Sequence, residues 1–173
     1  AGGTKYLRED GDGTSSWQAV GGSISNPVWM TAEYDTTQGS VPYNSASVRL
    51  VILADGVSDR TSFQTVTPAG ATSITAAKLV VKGGAAGNAL FTISSRAFTD
   101  GDTDAGGTTD SIAETTYAIQ NSIYDFFDVS AAFNGLTIAD DEVIGVKLTR
   151  NGGGAADTVA ANVMVVGMYL TFA

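Results

Sequence analysis

The chain has 173 residues with 18 acidic and 9 basic side chains, which gives a formal charge of −9 at neutral pH. At this length roughly 70% of the unfolded surface can be buried, so one domain can fold without a disulfide or a metal. The negative charge and the spread of the basic residues along the sequence argue against nucleic-acid binding, and no apolar run is long enough to cross a bilayer.

The chain opens with a charged stretch, GTKYLREDGDGTSSW at residues 3–17, that is punctuated by glycine. No apolar run long enough to build a core precedes its closing tryptophan. We therefore predict two regions, an N-terminal arm or a junction to an upstream segment over residues 1–26 and a β-structured domain over residues 27–173.

Short β-branched and aromatic runs then recur between clusters of Gly, Asp, Asn, Ser and Pro, a pattern typical of an all-β sandwich or barrel. Helical periodicity is nearly absent. We predict about eight strands, which in chain order cover residues 28–35, 46–54, 61–66, 73–82, 89–98, 109–119, 142–150 and 162–172.

Two of these strands alternate as expected for a sheet with one buried and one solvated face. In the strand 89–98, Phe91 and Ile93 oppose Thr92, Ser94 and Arg96. The strand 142–150 has the same pattern, with an apolar face and a second face that comprises Gly145, Lys147 and Thr149.

The last strand, 162–172, is apolar on both faces. Strict alternation divides its residues into a core face of Met164, Val166, Met168, Leu170 and Phe172 and a second face of Val163, Val165 and Tyr169. This second face either meets another copy of the chain or is covered by the chain's own loops.

One short helix is predicted at DVSAAFNG, residues 128–135. Asp128 can accept hydrogen bonds from the first amides, and Gly135 can adopt a left-handed stop. The aromatic residues just before it, Tyr124, Phe126 and Phe127, are expected to seat this crossover on the domain.

The sequence lacks the side chains for several kinds of catalysis. It has no histidine and no cysteine, which removes Ser-His-Asp and Cys-His nucleophiles and the usual zinc ligands. A pair of carboxylates could still hydrolyse glycosides, but turn formation explains the acidic positions better. The candidates weighed for that role are Asp110, Glu114, Asp140, Asp141 and Glu142. We expect no enzymatic activity.

Two further motifs have a structural and a ligand-binding interpretation. Asp100, Asp102 and Asp104 alternate as oxygen ligands of a calcium ion would, but an EF-hand would need a glycine and a glutamate where this chain has Ala105 and Ser111. A solvated acidic loop is the preferred interpretation, and no cofactor is expected. Likewise, a salt bridge between Arg150 and Asp157 that closes the glycine loop is favoured over a ligand-binding pair.

The opening stretch resembles a motif of tailed-phage fibre proteins, Thr-x-x-Leu-Arg-x-Asp-Gly-Thr-Trp, which joins one fibre segment to the next. This chain departs from it by inserting Asp12 and Gly13, then Ser15 and Ser16. The matching residues are Gly3, Thr4, Lys5, Tyr6, Leu7, Arg8, Asp10, Gly11, Thr14 and Trp17.

A second resemblance lies at the other end, in VIGVKLTRNGGGAADTVAANVMVVGMYLTFA. It is similar to the closing hairpin of jelly-roll-like domains in phage structural proteins. The residues that correspond are Leu148, Thr149, Arg150, Ala156, Asp157, Thr158, Gly167 and Tyr169. Together the two patches cover about a quarter of the chain.

The resemblance implies an antiparallel β-sandwich of jelly-roll type that serves as the trimeric head domain of a tail fibre. Such a protein is assembled in the host cytoplasm, resides in the virion and contacts other virion proteins. A copy-to-copy interface would then include Leu7, Trp17, Val163, Val165 and Tyr169. A host-surface glycan would be held by aromatic residues, for which Trp29, Tyr34 and Tyr43 are the candidates.

Three other functions remain open. A capsid decoration or head-fibre protein would use the arm to clamp a shell. A carbohydrate-binding module of a secreted protein would be monomeric and bind oligosaccharides, and a glycosidase would depend on an acid pair.

Overall fold

A computed structural model describes residues 27–33, 50–103 and 106–173 in full, and the backbone of the strand residues 5–9, 15–19, 41–45 and 48–49. Twelve strands and one short 3-10 helix are present in this part of the chain. The strands are β1 Lys5–Glu9, β2 Ser15–Ala19, β3 Val28–Thr31, β4 Val41–Ser45, β5 Val48–Leu53, β6 Ser58–Val66, β7 Ile74–Gly83, β8 Gly87–Phe98, β9 Thr108–Ile119, β10 Tyr124–Asp128, β11 Val143–Asn151 and β12 Val163–Phe172, and the helix is Ser130–Phe133.

Two antiparallel sheets pack face to face around one apolar core. The four-stranded sheet has the order β6-β11-β8-β9. The six-stranded sheet has the order β10-β7-β12-β5-β4, and β3 also pairs with β12. The core draws buried side chains from both sheets. The predicted all-β antiparallel sandwich with one short helix is therefore confirmed.

All eight predicted strands are present, while β1, β2, β4 and β10 were missed. Each missed strand has five residues. Pro42 lies within β4, and a proline argues against an interior strand; β4 accordingly stands at the edge of its sheet. The predicted N-terminal arm contains β1 and β2, which pair with each other.

The predicted alternation in the four-stranded sheet is confirmed. Phe91 and Ile93 of β8 are fully buried, and so are Ile144 and Leu148 of β11. The intervening residues of both strands lie on the outer face of the sheet, where they are half-buried or exposed. This outer face carries the candidate site.

The predicted faces of β12 are wrong because a β-bulge interrupts the strand. Its register against β7 shifts between Val165 and Gly167, which reverses the alternation. Val163 and Val165 consequently share the core face with Met168 and are completely buried. They are sealed inside their own chain, so their assignment to a copy-to-copy interface is corrected.

The helix is a single 3-10 turn. Asp128 accepts hydrogen bonds from the amide and the hydroxyl of Ser130, at 2.9 and 2.6 Å, as predicted for the start of this segment. Gly135 is not in the left-handed region, so the predicted stop is wrong. Its amide instead donates to the carboxylate of Asp110 at 2.7 Å, which ties the turn to β9.

No helix among the described residues is long and apolar enough to span a membrane.

Candidate functional site

The outer face of the four-stranded sheet carries a groove of about 740 Å³. Because the four strands are antiparallel and in register, their outward side chains form rows that cross the sheet. One row at the end of the groove is apolar. It consists of Val66, Val143 and Phe98, of which the two valines are 53% and 40% exposed.

The two rows beside it are polar. Alternate residues of each strand supply serine and threonine hydroxyls, one amide and two cationic groups. In strand order the first polar row is Gln64, Gly145, Arg96 and Thr109, and the second is Ser62, Lys147, Ser94 and Ser111. The groove thus presents hydrogen-bonding groups next to an apolar strip.

Gly145 leaves a gap in the middle of the first polar row. A Cβ placed there would meet only the Phe98 ring, at 3.8 Å, which is an ordinary contact. The backbone at this position is also open to any residue, since Gly145 does not have a positive φ. Neither packing nor backbone conformation requires a glycine here, and its effect is to keep the floor of the groove open.

Basic residues converge on this face. Arg60 of β6, Arg96 of β8 and Lys147 of β11 all point outward, so three of the nine bases lie on one sheet surface. The guanidinium of Arg96 lies over the ring of Phe98, with its central carbon 5.6 Å from the ring centroid. These bases are far apart in the sequence, and strand pairing brings them onto one face.

The acidic groups near this face are engaged with the protein itself, and one of them, Glu114, lies on the face and accepts a hydrogen bond from the outward side chain of Asn151. Asp110 of β9 points to the opposite side of the sheet, where it accepts from the Gly135 amide. Glu33 lies at the edge beyond β6 and accepts a hydrogen bond from Gln64 at 3.5 Å.

Four of the five carboxylates considered for glycoside hydrolysis accept structural hydrogen bonds. Glu142 accepts from the amide of Ala139 at 3.0 Å, and Glu114 accepts from the side chain of Asn151 at 2.9 Å. Asp140 accepts from a backbone amide of the neighbouring loop, and Asp141 occupies a turn with a φ of 61°. These contacts agree with the turn-forming role that the sequence favoured.

The aromatic residues predicted to hold a glycan are not in this groove. Trp29 belongs to the six-stranded sheet, where it is 49% exposed and its ring centroid lies 6.5 Å from that of Tyr169. Tyr43 is in β4 of the same sheet, with its side chain outside the described residues, and Tyr34 lies outside them altogether.

The outer face of the six-stranded sheet carries several large apolar side chains, together with Lys78 and Lys82. A small second cluster of Leu50, Val80 and Val166 is packed there, with Met164 and Tyr169 against it. Phe126 and Tyr124 of the edge strand β10 extend this surface and are 58% and 42% exposed. We call these residues, together with Trp29, the aromatic face. The expectation that the tyrosine and Phe126 seat the crossover is wrong, and only Phe127 packs inward, 5.0 Å from the ring of Tyr117.

The remaining interface candidates fall on the arm. Leu7 and Trp17 are directly opposite each other in the β1–β2 pair. Their side chains are outside the described residues, so their contact with another copy stays a prediction.

The calcium motif is only partly described. Asp102 accepts hydrogen bonds from the amide and the hydroxyl of Thr99, at 2.9 and 3.1 Å, and Asp100 is exposed. Asp104 lies outside the described residues. Within the part of the chain that the structure describes, no group of three acidic side chains could hold a metal ion.

The predicted salt bridge between Arg150 and Asp157 is confirmed and is fully buried. The Arg150 guanidinium donates to both carboxylate oxygens, at 2.9 and 2.8 Å, and to the carbonyls of Leu53, Val159 and Ala161. Since β11 and β12 belong to different sheets, the segment between them is a crossover and not the expected hairpin.

Burial of the Asp157 carboxylate disfavours its ionised form. Hydrogen bonds from Arg150 and from the Leu90 amide outweigh this effect, and the pKa of Asp157 lies below its ordinary value. The ion pair joins β11 of one sheet to the carbonyl of Leu53 in β5 of the other. It therefore stabilises the sandwich and is not available to a ligand.

No protein-family model and no curated protein matches this chain. Among solved structures it is similar to an exo-β-1,3-galactanase from Phanerochaete chrysosporium, with 11% identity and a TM-score of 0.48 over 91% of this chain and 30% of that chain. It is also similar to the family 11 carbohydrate-binding module of a cellulosomal cellulase of Clostridium thermocellum, with 12% identity and a TM-score of 0.42 over 100% and 97% of the two chains. A family 61 carbohydrate-binding module in complex with β-1,4-galactotriose matches with 10% identity and a TM-score of 0.38, over 72% and 71%.

Proposed function

We propose that the chain is a non-catalytic carbohydrate-binding domain that holds a saccharide in the groove of its four-stranded sheet. The observation that carries this proposal is Gly145. A glycine in the interior of a strand weakens it by about 0.5–1 kcal/mol relative to alanine. Neither packing nor backbone conformation explains why this destabilising residue is present at position 145, and its effect is to leave the groove open.

The chemistry of the groove suits a saccharide. Sugars combine hydroxyl groups, which pair with serine, threonine and glutamine side chains, with C–H faces that pack on apolar and aromatic surfaces. Both kinds of surface lie side by side here, in the polar rows and in the row that ends at Phe98.

A non-catalytic role is supported by the placement of the acids. Glycosidases position two carboxylates on either side of the scissile bond. The outward positions of the two polar rows carry no carboxylate. Asp110 also lines the groove, but its carboxylate accepts from the Gly135 amide on the other side of the sheet. Glu114, on the same outer face, accepts from Asn151.

Filling the gap at Gly145 tests the proposal. In Gly145→Val the added methyl groups would project into the groove, while the contact at 3.8 Å leaves the strand room to form. We expect the variant to fold and to lose at least tenfold in affinity, measured by affinity electrophoresis and a glycan array that covers neutral and acidic polysaccharides.

Thr171→Val is the matched control, because it places the same side chain on the outer face of the other sheet. It should bind as the unaltered chain does. Equal binding by Gly145→Val and the unaltered chain, or no binding by either to any glycan, would refute the proposal.

A second function rests on the aromatic face. We propose that this face joins copies of the chain, as in a trimeric tail-fibre head of a phage virion, with the groove directed to a host-surface glycan. Large apolar side chains exposed together on one sheet are typical of protein–protein contacts. Trp29, Tyr124 and Phe126 form such a group.

Light scattering on the purified chain tests this assembly. A trimer is expected, and Phe126→Thr should shift it toward monomer without loss of the fold, because Phe126 is more than half exposed. A chain that is monomeric at all accessible concentrations would instead favour a monomeric carbohydrate-binding module.

A further inference from the structure

The apolar row of the groove contains a pair of exposed valines. Val66 ends β6 and Val143 begins β11, and the two residues are directly opposite each other. In the next pair along the ladder, the Thr67 amide donates to the Glu142 carbonyl at 2.9 Å. Because bonded and non-bonded pairs alternate between antiparallel strands, the valines form a non-hydrogen-bonded pair, whose side chains lie close together. We call Val66 and Val143 the valine strip.

Strand formation does not require valine at these two positions. Threonine is also β-branched and suits a solvent-facing strand position, as Thr149 of β11 does. The other outward positions of β6 and β11, two strands that the structure describes in full, hold no aliphatic residue. Val66 and Val143 are nevertheless 53% and 40% exposed. Aliphatic side chains on these two strands are therefore presented to solvent in one row only.

The valine strip has the size of a small apolar group and not that of a protein contact. It spans two strands about 5 Å apart, and the next outward residues, Gln64 and Gly145, lie about 7 Å along the strands. A stable protein contact covers about 800 Å² on each partner, far more than two valines offer. Phe98 continues the row on β8, but the Arg96 guanidinium lies over its ring.

The strip borders the open floor of the groove at Gly145. A sugar ring on this floor would hold one of its substituents over the valines. A methyl group at that point leaves water for an apolar surface, which is favourable. A hydroxyl group at the same point would lose hydrogen bonds to water that valine cannot replace.

We propose that the groove selects saccharides whose sugars carry a methyl group on a ring substituent, as acetylated sugars and 6-deoxy sugars do. This inference rests on the proposed carbohydrate-binding function and names its ligand class. Because the strip is open to solvent on one side, we expect a preference of about fivefold, close to the effect of burying one methyl group.

Pairs of ligands that differ in these groups test the inference. The acetyl pair is an acetylated glucomannan and the same polymer after alkaline deacetylation. The deoxy pair is methyl α-L-fucoside and methyl α-L-galactoside. We expect the methyl-bearing member of at least one pair to bind about fivefold more tightly, by affinity electrophoresis for the polymers and by NMR titration for the glycosides. The pair that shows the preference identifies the source of the methyl group.

The double variant Val66→Thr and Val143→Thr replaces one methyl group of each valine by a hydroxyl group. Threonine keeps the β-branched shape, so we expect the variant to fold, which circular dichroism can check. It should lower the affinity for the methyl-bearing ligand about fivefold and so abolish the preference. Val57→Thr is the matched control, because Val57 is 52% exposed but precedes β6, at the opposite end of that strand from Val66. It should keep the preference.

The outcomes separate the inference from the function on which it rests. Equal affinity for both members of each pair, with binding still lost in Gly145→Val, overturns the methyl preference but leaves carbohydrate binding in place. No binding of any glycan by the unaltered chain overturns both. A preference that persists in the double threonine variant overturns the assignment to the valine strip.

Discussion

The two outer faces of this sandwich differ in chemistry although each belongs to an antiparallel sheet. The four-stranded sheet exposes hydroxyl, amide and cationic groups around an open floor at Gly145. The six-stranded sheet exposes Trp29 and Phe126 over a small packed cluster. A sandwich needs only one buried face per sheet, so the two outer faces can serve separate roles, for which we propose saccharide binding on one and contact with a copy of the chain on the other.

An interior strand of each sheet contains a glycine, and the surroundings of the two glycines differ. The ideal Cβ position at Gly167 of β12 lies 2.2 Å from the Trp29 ring and 2.7 Å from the carbonyl oxygen of Met30. Gly167 is therefore required for close packing, and the Trp29 ring occupies its space. At Gly145 the corresponding space is open.

The largest expected effect is the loss of the ion pair that joins the two sheets. Arg150→Met would leave the buried Asp157 carboxylate without its cation, which costs about 3–5 kcal/mol of unfolding free energy. Chemical denaturation measures this loss. We expect the two sheets of this variant to unfold in one transition. A decrease of less than about 1 kcal/mol in unfolding free energy would show that the sheets are stabilised independently of the ion pair.

Gly167→Ala should destabilise the protein by about 1–3 kcal/mol, because the added methyl group displaces the Trp29 ring and presses on a backbone carbonyl. Tryptophan fluorescence should also shift as the ring moves. Stability equal to that of the unaltered chain would mean that the ring does not rest on Gly167.

Gly145→Ala should act in the opposite direction and stabilise the protein by about 0.5–1 kcal/mol. The reason is that alanine reduces the freedom of the unfolded chain and finds only an ordinary contact with Phe98. Thermal unfolding of the two alanine variants, measured side by side, gives the comparison. If Gly145→Ala destabilised the protein, Gly145 would be required for the fold, and the main support for the proposed binding groove would be lost.

The smallest expected effect is the loss of folding stability when Asp157 is protonated at low pH. The pKa of Asp157 is lower in the folded state than in the unfolded state. The carboxylate therefore adds its full stabilisation of the folded protein at every pH at which it is ionised in both states. This contribution is complete above the ordinary pKa of an aspartate, about 4, and is lost as the pH falls through the folded value. Denaturation between pH 7 and pH 2 should show this loss, and Asp157→Asn should lack that part of it.

The sequence predicted the sandwich because each of the eight predicted strands carries its own signal of alternation or a β-branched or aromatic run. It could not predict the groove, since Gln64, Arg96, Thr109 and Gly145 become neighbours only through strand pairing. The order of the strands in a sheet is not encoded in any one of them.

The faces of β12 were mispredicted for a local reason. A bulge adds one residue between Val165 and Gly167, and an alternation count cannot detect it. One signal for the site was present in the sequence: Gly145 interrupts an otherwise regular strand, at a position where a glycine lowers stability.

The most direct test of the division between the two faces is NMR mapping of the bound saccharide. An oligosaccharide of the polymer that binds most tightly would be titrated into labelled protein while the amide chemical shifts are followed. We expect shifts centred on Gly145, Lys147 and Ser94. Shifts centred on Trp29 and Phe126 instead, with the groove unaffected, would contradict it.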